Sequence, residues 1–332
     1  MAIDAPTTEK RRYWLLTSPR TASNMFVKIL NLDEQGVRPS HHGGYFFFPS
    51  VTARLPIYDK NPEDVTPEEH AEQKEATQIS ADALQDYLAA AEQENQAIVV
   101  KEHVFFLNAA EAEREYAHPE AKAPHTTAAI RGLDNPTRSD NNLTCLPDEF
   151  LKTWHPTFLI RHPAVQLPSL YRTAMREDMK LDGKGRARRE PYPAETTMLW
   201  VRSLYDFYRA HFGENSNWPI VLDADDVMTQ PQVVVKYAKM AGLDTSKLVF
   251  SWEKAGKEEM EKQSHTEKIM LSSVNASTGV NMDKVAGNVD IEKEAVKWRE
   301  EFGEEGGRKL EKWVREAIPD YEYLRSKRLT LD

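Results

Sequence analysis

The sequence predicts an α/β protein with a central, mostly parallel β-sheet, and three features of the chain support that class. Four short apolar runs have the composition of strands that are buried on both faces: residues 13–16, 97–100, 157–160 and 219–222. Helical patterns lie between these runs, and strands that alternate with helices favour a parallel sheet. Each run ends in charged or turn-forming residues, at the carboxyl ends of strands where such sheets bind ligands.

The composition describes a globular chain with an acidic balance. Of its 332 residues, 40% are hydrophobic and 29% are charged, which is enough apolar material for a substantial core. We expect one domain over residues 1–332, with a loop-rich insertion at about 53–125. The formal charge of −10 disfavours nucleic acid as a partner, because binding to phosphate backbones needs clustered Lys and Arg. Any anion site must therefore be local.

The cellular setting is predicted from the cysteine content and from the first residues. Cys145 is the only cysteine, so one chain can form neither an internal disulfide nor a cysteine-based metal cluster. Residues 1–10 are polar and lack the apolar core of a signal peptide, and the chain has no long apolar run of the length that spans a membrane. We therefore expect a soluble, cytoplasmic protein with no membrane partner. The residues leave the oligomeric state open, a homodimer included.

The first candidate motif follows the first strand. Residues 18–24 (SPRTASN) form a turn that leads into a helical pattern. Backbone N–H groups and the positive end of a helix dipole converge at such a point and attract an anion. Arg20 adds a fixed charge, and Ser23 and Asn24 add hydrogen-bond donors. An ordinary loop with a serine helix cap fits the same residues, and the glycines and Lys-Ser/Thr pair of a Walker A motif are missing.

The second candidate motif is the tripeptide Lys101-Glu102-His103, directly after the second apolar run. Alternate side chains of a strand face the same side, so Lys101 and His103 are predicted to face the crevice together while Glu102 faces away. Histidine is suited to accept a proton near neutral pH, and lysine can stabilise developing negative charge. An unremarkable surface patch is the alternative for these three residues alone.

The third candidate motif begins at Arg161, which follows the third apolar run. Arg161 offers a fork of donors that suits a phosphate, and Ser169, eight residues further on, could reach the same group from the next helix. A structural arginine that donates to loop carbonyls is an equal alternative.

An acidic run, residues 223–226, follows the fourth strand. We interpret it as a structural turn in which an aspartate caps a helix, because no partner ligands for a metal occur at a convincing spacing. A second helical pattern, over residues 233–241, follows and ends at Gly242.

Two polar stretches and one helix complete the prediction along the chain. Residues 59–75 and 176–189 are predicted to be solvated loops, and the basic second one could close over an anionic cofactor. A helix is predicted over residues 80–95, with Ser80 as its cap.

Taken together and in this order, these segments resemble the sulfotransferase family, whose cofactor is 3′-phosphoadenosine-5′-phosphosulfate (PAPS). Residues 18–24 are similar to the family's 5′-phosphosulfate loop, in the branch where arginine replaces lysine. The family usually has glycine where Ala22 stands, and a residue with a Cβ tolerates positive φ less well. The resemblance spans about residues 13–242 and implies a P-loop NTPase-like sulfotransferase fold, with α/β/α layers around the sheet.

The resemblance also implies residue roles. The 5′-phosphosulfate would bind the loop residues, namely Arg20, Thr21, Ala22, Ser23, Asn24 and Met25. The 3′-phosphate would lie between Arg161 and Ser169. His103 would remove the proton of the acceptor, while Arg20 and Lys101 stabilise the transition state as adenosine 3′,5′-bisphosphate departs, and no metal is required.

The family's glycine-rich basic loop near the C-terminus is not found in this sequence. The best local substitute for binding the far end of the cofactor is the run of three small residues Ser277, Thr278 and Gly279. A flexible turn is the alternative for this run.

The acceptor is predicted to be a small molecule. The aromatic stretch at residues 41–49 supplies His41, His42, Tyr45 and Phe47 as candidate acceptor contacts, although core packing is the commoner use of aromatic residues. The two histidines could also serve as metal ligands or as a second base.

Three other functions stay open at this point. The sulfate ester could be a leaving group for a later elimination or ring closure. The chain could be a non-catalytic homologue that keeps the nucleotide site, as Ala22 and the missing C-terminal loop allow. A small-molecule kinase shares the design of strand, loop and helix but needs the Walker lysine that this chain lacks.

Overall fold

The computed structural model describes residues 12–40, 44–58, 60–120, 124–176 and 189–331. Its strands are β1 (Arg12–Thr17), β2 (Ile98–His103), β3 (Trp154–Ile160) and β4 (Ile220–Asp223). They form one parallel sheet in the order β2-β1-β3-β4. All four predicted strands are present, and the predicted α/β class with a parallel sheet is confirmed.

Helices lie between and after the strands. They are α1 (Ser23–Leu30), α2 (Phe48–Arg54), α3 (Pro67–Gln93), α4 (Ala110–Ala117), α5 (Asp148–Leu151), α6 (Pro163–Ala174), α7 (Pro193–Thr196), α8 (Leu199–Phe212), α9 (Ala224–Thr229), α10 (Pro231–Met240), α11 (Lys257–Lys262), α12 (His265–Asn275) and α13 (Ile291–Ser326). Gly303, with a φ of 78°, interrupts the helical backbone of α13. Helix α10 ends before Gly242, which has a φ of 70°, as predicted.

Strand β2 is longer than the sequence predicts. The apolar run ends at residue 100, but the strand continues through His103 because its last residues pair with the end of β1, where Thr17 lies opposite His103. The sequence composition assigns Lys101, Glu102 and His103 to a loop after the strand. In the structure these three polar residues belong to the strand and are all buried. The catalytic candidates are therefore held by the ladder hydrogen bonds of the sheet.

Helix α3 begins earlier than predicted, so the solvated loop expected over residues 59–75 is partly wrong. The helix starts at Pro67, where Thr66 and Glu69 form a capping box in which each side chain accepts from the backbone N–H of the other. Ser80, the predicted cap, lies inside the helix and donates to the carbonyl of Ala76. A strong start signal thus lies within the stretch whose charge suggested a loop.

The described chain divides into two compact units. The first comprises residues 12–17, 32–158 and 200–220. Its core is rich in aromatic side chains, with the rings of Trp14 and Trp154 at a centroid distance of 4.4 Å, and α2 packs on α3.

The second unit comprises residues 18–31, 159–199 and 221–331. Phe26 of α1 packs on Tyr237 of α10 with ring centroids 5.4 Å apart, and α6 packs on α13. The expectation of one domain over residues 1–332 stays a prediction. Within the described residues, no helix is both long enough and apolar enough to cross a membrane.

Candidate active site

The loop between β1 and α1 contains two residues in left-handed backbone conformations. Arg20 and Ala22 adopt left-handed conformations with φ of 68° and 62°, and the hydroxyl of Thr21 donates to the carbonyl of Ser18 over 2.9 Å. Ala22 is the N-cap of α1 and makes no side-chain capping bond. Left-handed residues at a helix N-terminus turn backbone N–H groups toward one point, where an anion can accept from them.

Three of the predicted cofactor-binding residues meet in the second unit. The Nε of Arg20 donates to the hydroxyl of Ser169 on α6 over 3.0 Å. Arg161, at the end of β3, donates from Nη1 to the carbonyl of Arg20 over 3.0 Å. Residues 20, 161 and 169 are far apart in the sequence, so the tertiary structure has to bring them together.

Arg161 is a buried cation that does not use all of its hydrogen-bond donors. Its side chain is only 6% exposed, and its Nη2 donates to the carbonyl of Lys284 over 2.6 Å. Its Nε is buried and has no hydrogen-bond partner among the residues that the structure describes. Burial lowers the pKa of Arg161, against the opposing effect of Asp225, but a guanidinium keeps its charge in proteins. This arrangement combines both sequence interpretations, since the arginine bonds to loop carbonyls and still has an unused donor.

Lys284 is a candidate site residue that the sequence did not reveal. It lies in the segment just before α13, and its Nζ donates to the hydroxyl of Ser273 over 2.6 Å. Burial first, and then the charges of Arg20 and Arg161, lower the pKa of Lys284. Three cations therefore lie within electrostatic reach of one another, which is the arrangement expected of a site for a multiply charged anion. No motif or spacing in the sequence marks this lysine.

The acidic run after β4 holds that segment in place. The backbone N–H groups of Ala286 and Gly287 donate to the carboxylate of Asp225 over 3.0 and 3.1 Å. Asp223 caps α9 by accepting from the N–H of Asp225 over 2.8 Å, and it also accepts from the hydroxyl of Tyr321. The predicted structural turn with an aspartate cap is confirmed, and the structure adds its role as an anchor.

The other predicted cofactor residues have contacts of their own. The hydroxyl of Ser277 accepts from the indole N–H of Trp252, and the carbonyl of Thr278 accepts from the backbone N–H of the same residue. Gly279 forms an isolated antiparallel bridge with Ser251. The binding of the cofactor's far end by residues 277–279 stays a prediction.

In the first unit, Lys101 and His103 face the same side of β2. The Nζ of Lys101 lies 4.6 Å from the ring centroid of Tyr45, and the ring of His103 lies 4.7 Å from the same centroid. Glu102 faces elsewhere and accepts hydrogen bonds from the backbone N–H groups of Phe47 and His103, both over 3.1 Å. The alternation predicted for this tripeptide is confirmed.

Burial shifts the pKa values of both ionisable neighbours of His103, Lys101 and Glu102. It lowers the pKa of Lys101 to about 8, with Glu102 as the smaller opposing influence. It raises the pKa of Glu102 to about 8, against the hydrogen bonds from Phe47 and His103. Burial thus favours the uncharged form of both side chains.

Aromatic rings surround His103. Phe106, which no sequence motif marks, lies edge-on to His103 at a centroid distance of 4.9 Å and to Tyr45 at 5.6 Å. The ring of Phe47 is fully buried in the core, while its N–H serves Glu102. His41 and His42 lie outside the described residues, as do residues 177–188 of the basic stretch.

The approach of Tyr45 to β2 depends on Gly44. Gly44 has a φ of 123°, and a Cβ at this position would lie 2.2 Å from the carbonyl oxygen of Lys101. Only a residue without a side chain can bring the backbone this close in this conformation. The glycine before the predicted acceptor residue thus places the tyrosine ring over Lys101 and His103.

Two curated fungal proteins are similar to the chain. It is 40% identical over 346 residues to "Sulfotransferase ppzF" of Metarhizium majus (strain ARSEF 297), which covers 99% of this chain and 100% of that protein. It is also 40% identical over 335 residues to "Sulfotransferase ppzF" of Metarhizium rileyi (strain RCEF 4871), which covers 97% of both. No family model matches the sequence.

Two solved structures resemble the chain at low sequence identity. The sulfotransferase domain from the Synechococcus PCC 7002 olefin synthase is 14% identical, covers 89% of this chain and 96% of its own, and has a TM-score of 0.40. The sulfotransferase domain from the curacin biosynthetic pathway is 11% identical, covers 88% and 92%, and has a TM-score of 0.34.

The near-full-length identity to the two fungal proteins shows that this chain belongs to the sulfotransferase family. The resemblance stated from the sequence motifs is thereby confirmed. The enzyme class that follows is a transferase of sulfuryl groups.

Proposed function

We propose that this chain transfers a sulfuryl group from PAPS to a hydroxyl or amine of a small-molecule acceptor, with His103 as the general base. The observation that carries the proposal is the contact set of Arg20, Arg161 and Ser169. The resemblance in sequence assigns these residues to the two ends of one nucleotide.

The residues of the second unit suit an anion of high charge. Arg161 keeps a buried Nε without a partner, and Arg20 and Lys284 add two cations beside it. Arg161 is a buried cation, and a buried charge is costly without a compensating one, so an anionic ligand would gain from binding beside it. In the proposed site, Arg161 and Ser169 hold the 3′-phosphate while the loop at residues 18–25 holds the 5′-phosphosulfate.

The residues of the first unit suit proton transfer from an acceptor. His103 is flanked by the rings of Tyr45 and Phe106, which exclude water and offer a flat apolar surface to an organic acceptor. Lys101 on the same face of β2 supplies a positive charge. Histidine is the side chain best suited to accept a hydroxyl proton near neutral pH.

PAPS supplies the activated sulfuryl group when it is bound. In the proposed reaction the acceptor oxygen loses its proton to His103 as it forms a bond to sulfur, and the bond from sulfur to the bridging oxygen breaks. Arg20 and Lys101 stabilise the negative charge that grows on that oxygen. The products are the sulfated acceptor, adenosine 3′,5′-bisphosphate and a protonated His103.

A thermal-shift comparison of adenosine 3′,5′-bisphosphate with ATP tests the cofactor assignment. A ligand that binds only the folded chain at about 100 times its Kd stabilises it by about 2.7 kcal/mol. We expect the bisphosphate to raise the melting temperature clearly more than ATP at equal concentration. Arg161→Ala should remove that difference, whereas the control Arg315→Ala should keep it. Equal shifts with both nucleotides would contradict the proposal.

A further inference from the structure

The hydroxyl of Thr17 contacts His103 at the end of the β1–β2 ladder. Thr17 lies directly opposite His103 in the register, and its Oγ1 is 2.6 Å from the Nδ1 of that histidine. Thr17 is 1% exposed and His103 is 8% exposed, so water does not compete freely for this contact. The sulfotransferase assignment gives Thr17 no role, because the candidate loop begins one residue later.

A second contact decides which atom donates. The same hydroxyl donates to the backbone carbonyl of Glu102 over 3.2 Å, and a carbonyl oxygen can only accept. A threonine hydroxyl has one proton, so it can donate to the carbonyl or to the ring but not to both. Both contacts are hydrogen bonds only when the ring supplies the proton of the short one, so that Nδ1–H donates to the threonine oxygen.

We infer that Thr17 is a positioning residue that holds His103 in the tautomer with its proton on Nδ1. The lone pair then lies on Nε2, and Nε2 is the nitrogen that accepts the proton of the acceptor hydroxyl. The inference deepens the proposed function and rests on His103 as its base. Nδ1–H stays bonded to Thr17 before and after the transfer, so the ring has no need to reorient when it becomes charged.

Spectroscopy of the histidine ring tests this without relying on turnover. In protein labelled with ¹⁵N-histidine, long-range ¹H–¹⁵N spectra distinguish the two tautomers, and His103→Gln assigns the signals. We expect the Nδ1–H tautomer in the wild-type chain. Thr17→Val keeps the branched shape but has no acceptor, so the Nε2–H tautomer should gain. Thr17→Ser should restore the wild-type pattern, and the control Thr153→Val should not alter it.

Kinetics on the same variants test the consequence. Loss of the hydrogen-bond partner that orients a metal-bound histidine typically costs about 10–100-fold in activity, and we take the same range for the partner of a histidine base. We expect Thr17→Val to lower kcat by that factor with KM for the donor unchanged within about three-fold, and Thr17→Ser to recover most of the loss. Unchanged binding of adenosine 3′,5′-bisphosphate will show that Thr17→Val is folded.

The outcomes separate the two claims. An Nε2–H tautomer in the wild-type chain, or an Nδ1–H tautomer that persists in Thr17→Val, overturns the inference whatever the activity. A second outcome combines an Nδ1–H tautomer in the wild-type chain with full turnover in His103→Ala. It overturns the role of His103 as a base, and with it the expected effect of Thr17 on kcat. The hydrogen bond between Thr17 and His103 would still stand.

Discussion

The Nε of Arg20 donates a hydrogen bond to the hydroxyl of Ser169 over 3.0 Å, which joins two residues 149 positions apart in the sequence. Arg20 belongs to the loop after β1 and Ser169 to α6. Since Arg161 also donates to the carbonyl of Arg20, Arg20 is held both through its side chain and through its backbone. The loop that is proposed to bind PAPS is thus locked to the residues that are proposed to bind its other phosphate.

Ser169→Ala should weaken the binding of adenosine 3′,5′-bisphosphate. A hydrogen bond to a charged group contributes about 1.5–3 kcal/mol, which corresponds to an increase in Kd of roughly ten-fold or more. Titration calorimetry measures the change. The control Ser326→Ala, which removes an exposed hydroxyl bonded to the carbonyl of Tyr323, should leave Kd unaltered. Equal affinities in all three proteins would remove Ser169 from the site.

Asp225→Ala should also weaken that binding, although it removes a negative charge near Arg161. Electrostatics alone predicts tighter binding of an anion in the variant. We expect the opposite, because Asp225 anchors Ala286 and Gly287 and thereby the segment that carries Lys284. Asp226→Ala is the matched control, since it removes a neighbouring carboxylate that bonds Arg328 instead. Tighter binding in Asp225→Ala would show that the anchor has no influence on the site.

His103→Ala should lower kcat by about 10²–10⁴-fold, the usual contribution of a general base. The affinity for adenosine 3′,5′-bisphosphate should stay within about three-fold, because the proposed role of His103 concerns the acceptor alone. Sulfate transfer to an acceptor panel under donor saturation measures the effect, with His211→Ala as a control. Near-normal turnover in His103→Ala would rule out the base role.

Glu102→Gln should change how stability depends on pH. Burial raises the pKa of Glu102 from its ordinary value of 4.5 to about 8, so the folded chain holds a proton that the unfolded chain releases in this range. The contribution of Glu102 to the free energy of unfolding is fully present below about pH 4.5 and is lost as the pH rises to about 8. Urea midpoints of the wild-type chain should therefore fall relative to Glu102→Gln between pH 5 and 8. The urea midpoints of the control Glu300→Gln, at an exposed position, should depend on pH in the same way as those of the wild-type chain.

Ala22→Gly should stabilise the fold, because Ala22 has a φ of 62°. The left-handed conformation costs a residue with a Cβ about 1–2 kcal/mol, and part of this gain is offset by the greater freedom of glycine in the unfolded chain. We expect an increase of about 0.5–1 kcal/mol in the free energy of unfolding, measured in urea. Ala71→Gly, at an exposed position of α3, should destabilise instead. A loss of stability in Ala22→Gly would contradict the strain argument.

The conformation of Ala22 also bears on the non-catalytic alternative. The family's usual glycine is absent, yet the backbone still adopts the left-handed turn that glycine favours. The departure from the family pattern therefore does not prevent the loop geometry. The cost of strain is the property that Ala22→Gly measures.

The sequence by itself determined the fold class, the four strands and most of the candidate site. Buried strands of a parallel sheet leave uninterrupted apolar runs, and the residues after them are placed at one edge of the sheet by the topology alone. The order of Arg20, Lys101, His103, Arg161 and Ser169 along the chain resembles that of the sulfotransferase family, and this resemblance predicted the family.

Only the tertiary structure revealed Lys284, Phe106 and the contact of Thr17 with His103. Each depends on packing between segments that are distant in sequence, and local patterns carry no information about such distances. Lys284 reaches Arg161 because Asp225 anchors the residues that directly follow Lys284. Thr17 reaches His103 because the register of β1 and β2 sets the two residues opposite each other. Side-chain type can be read from the sequence, but the partner of each side chain is fixed by the fold.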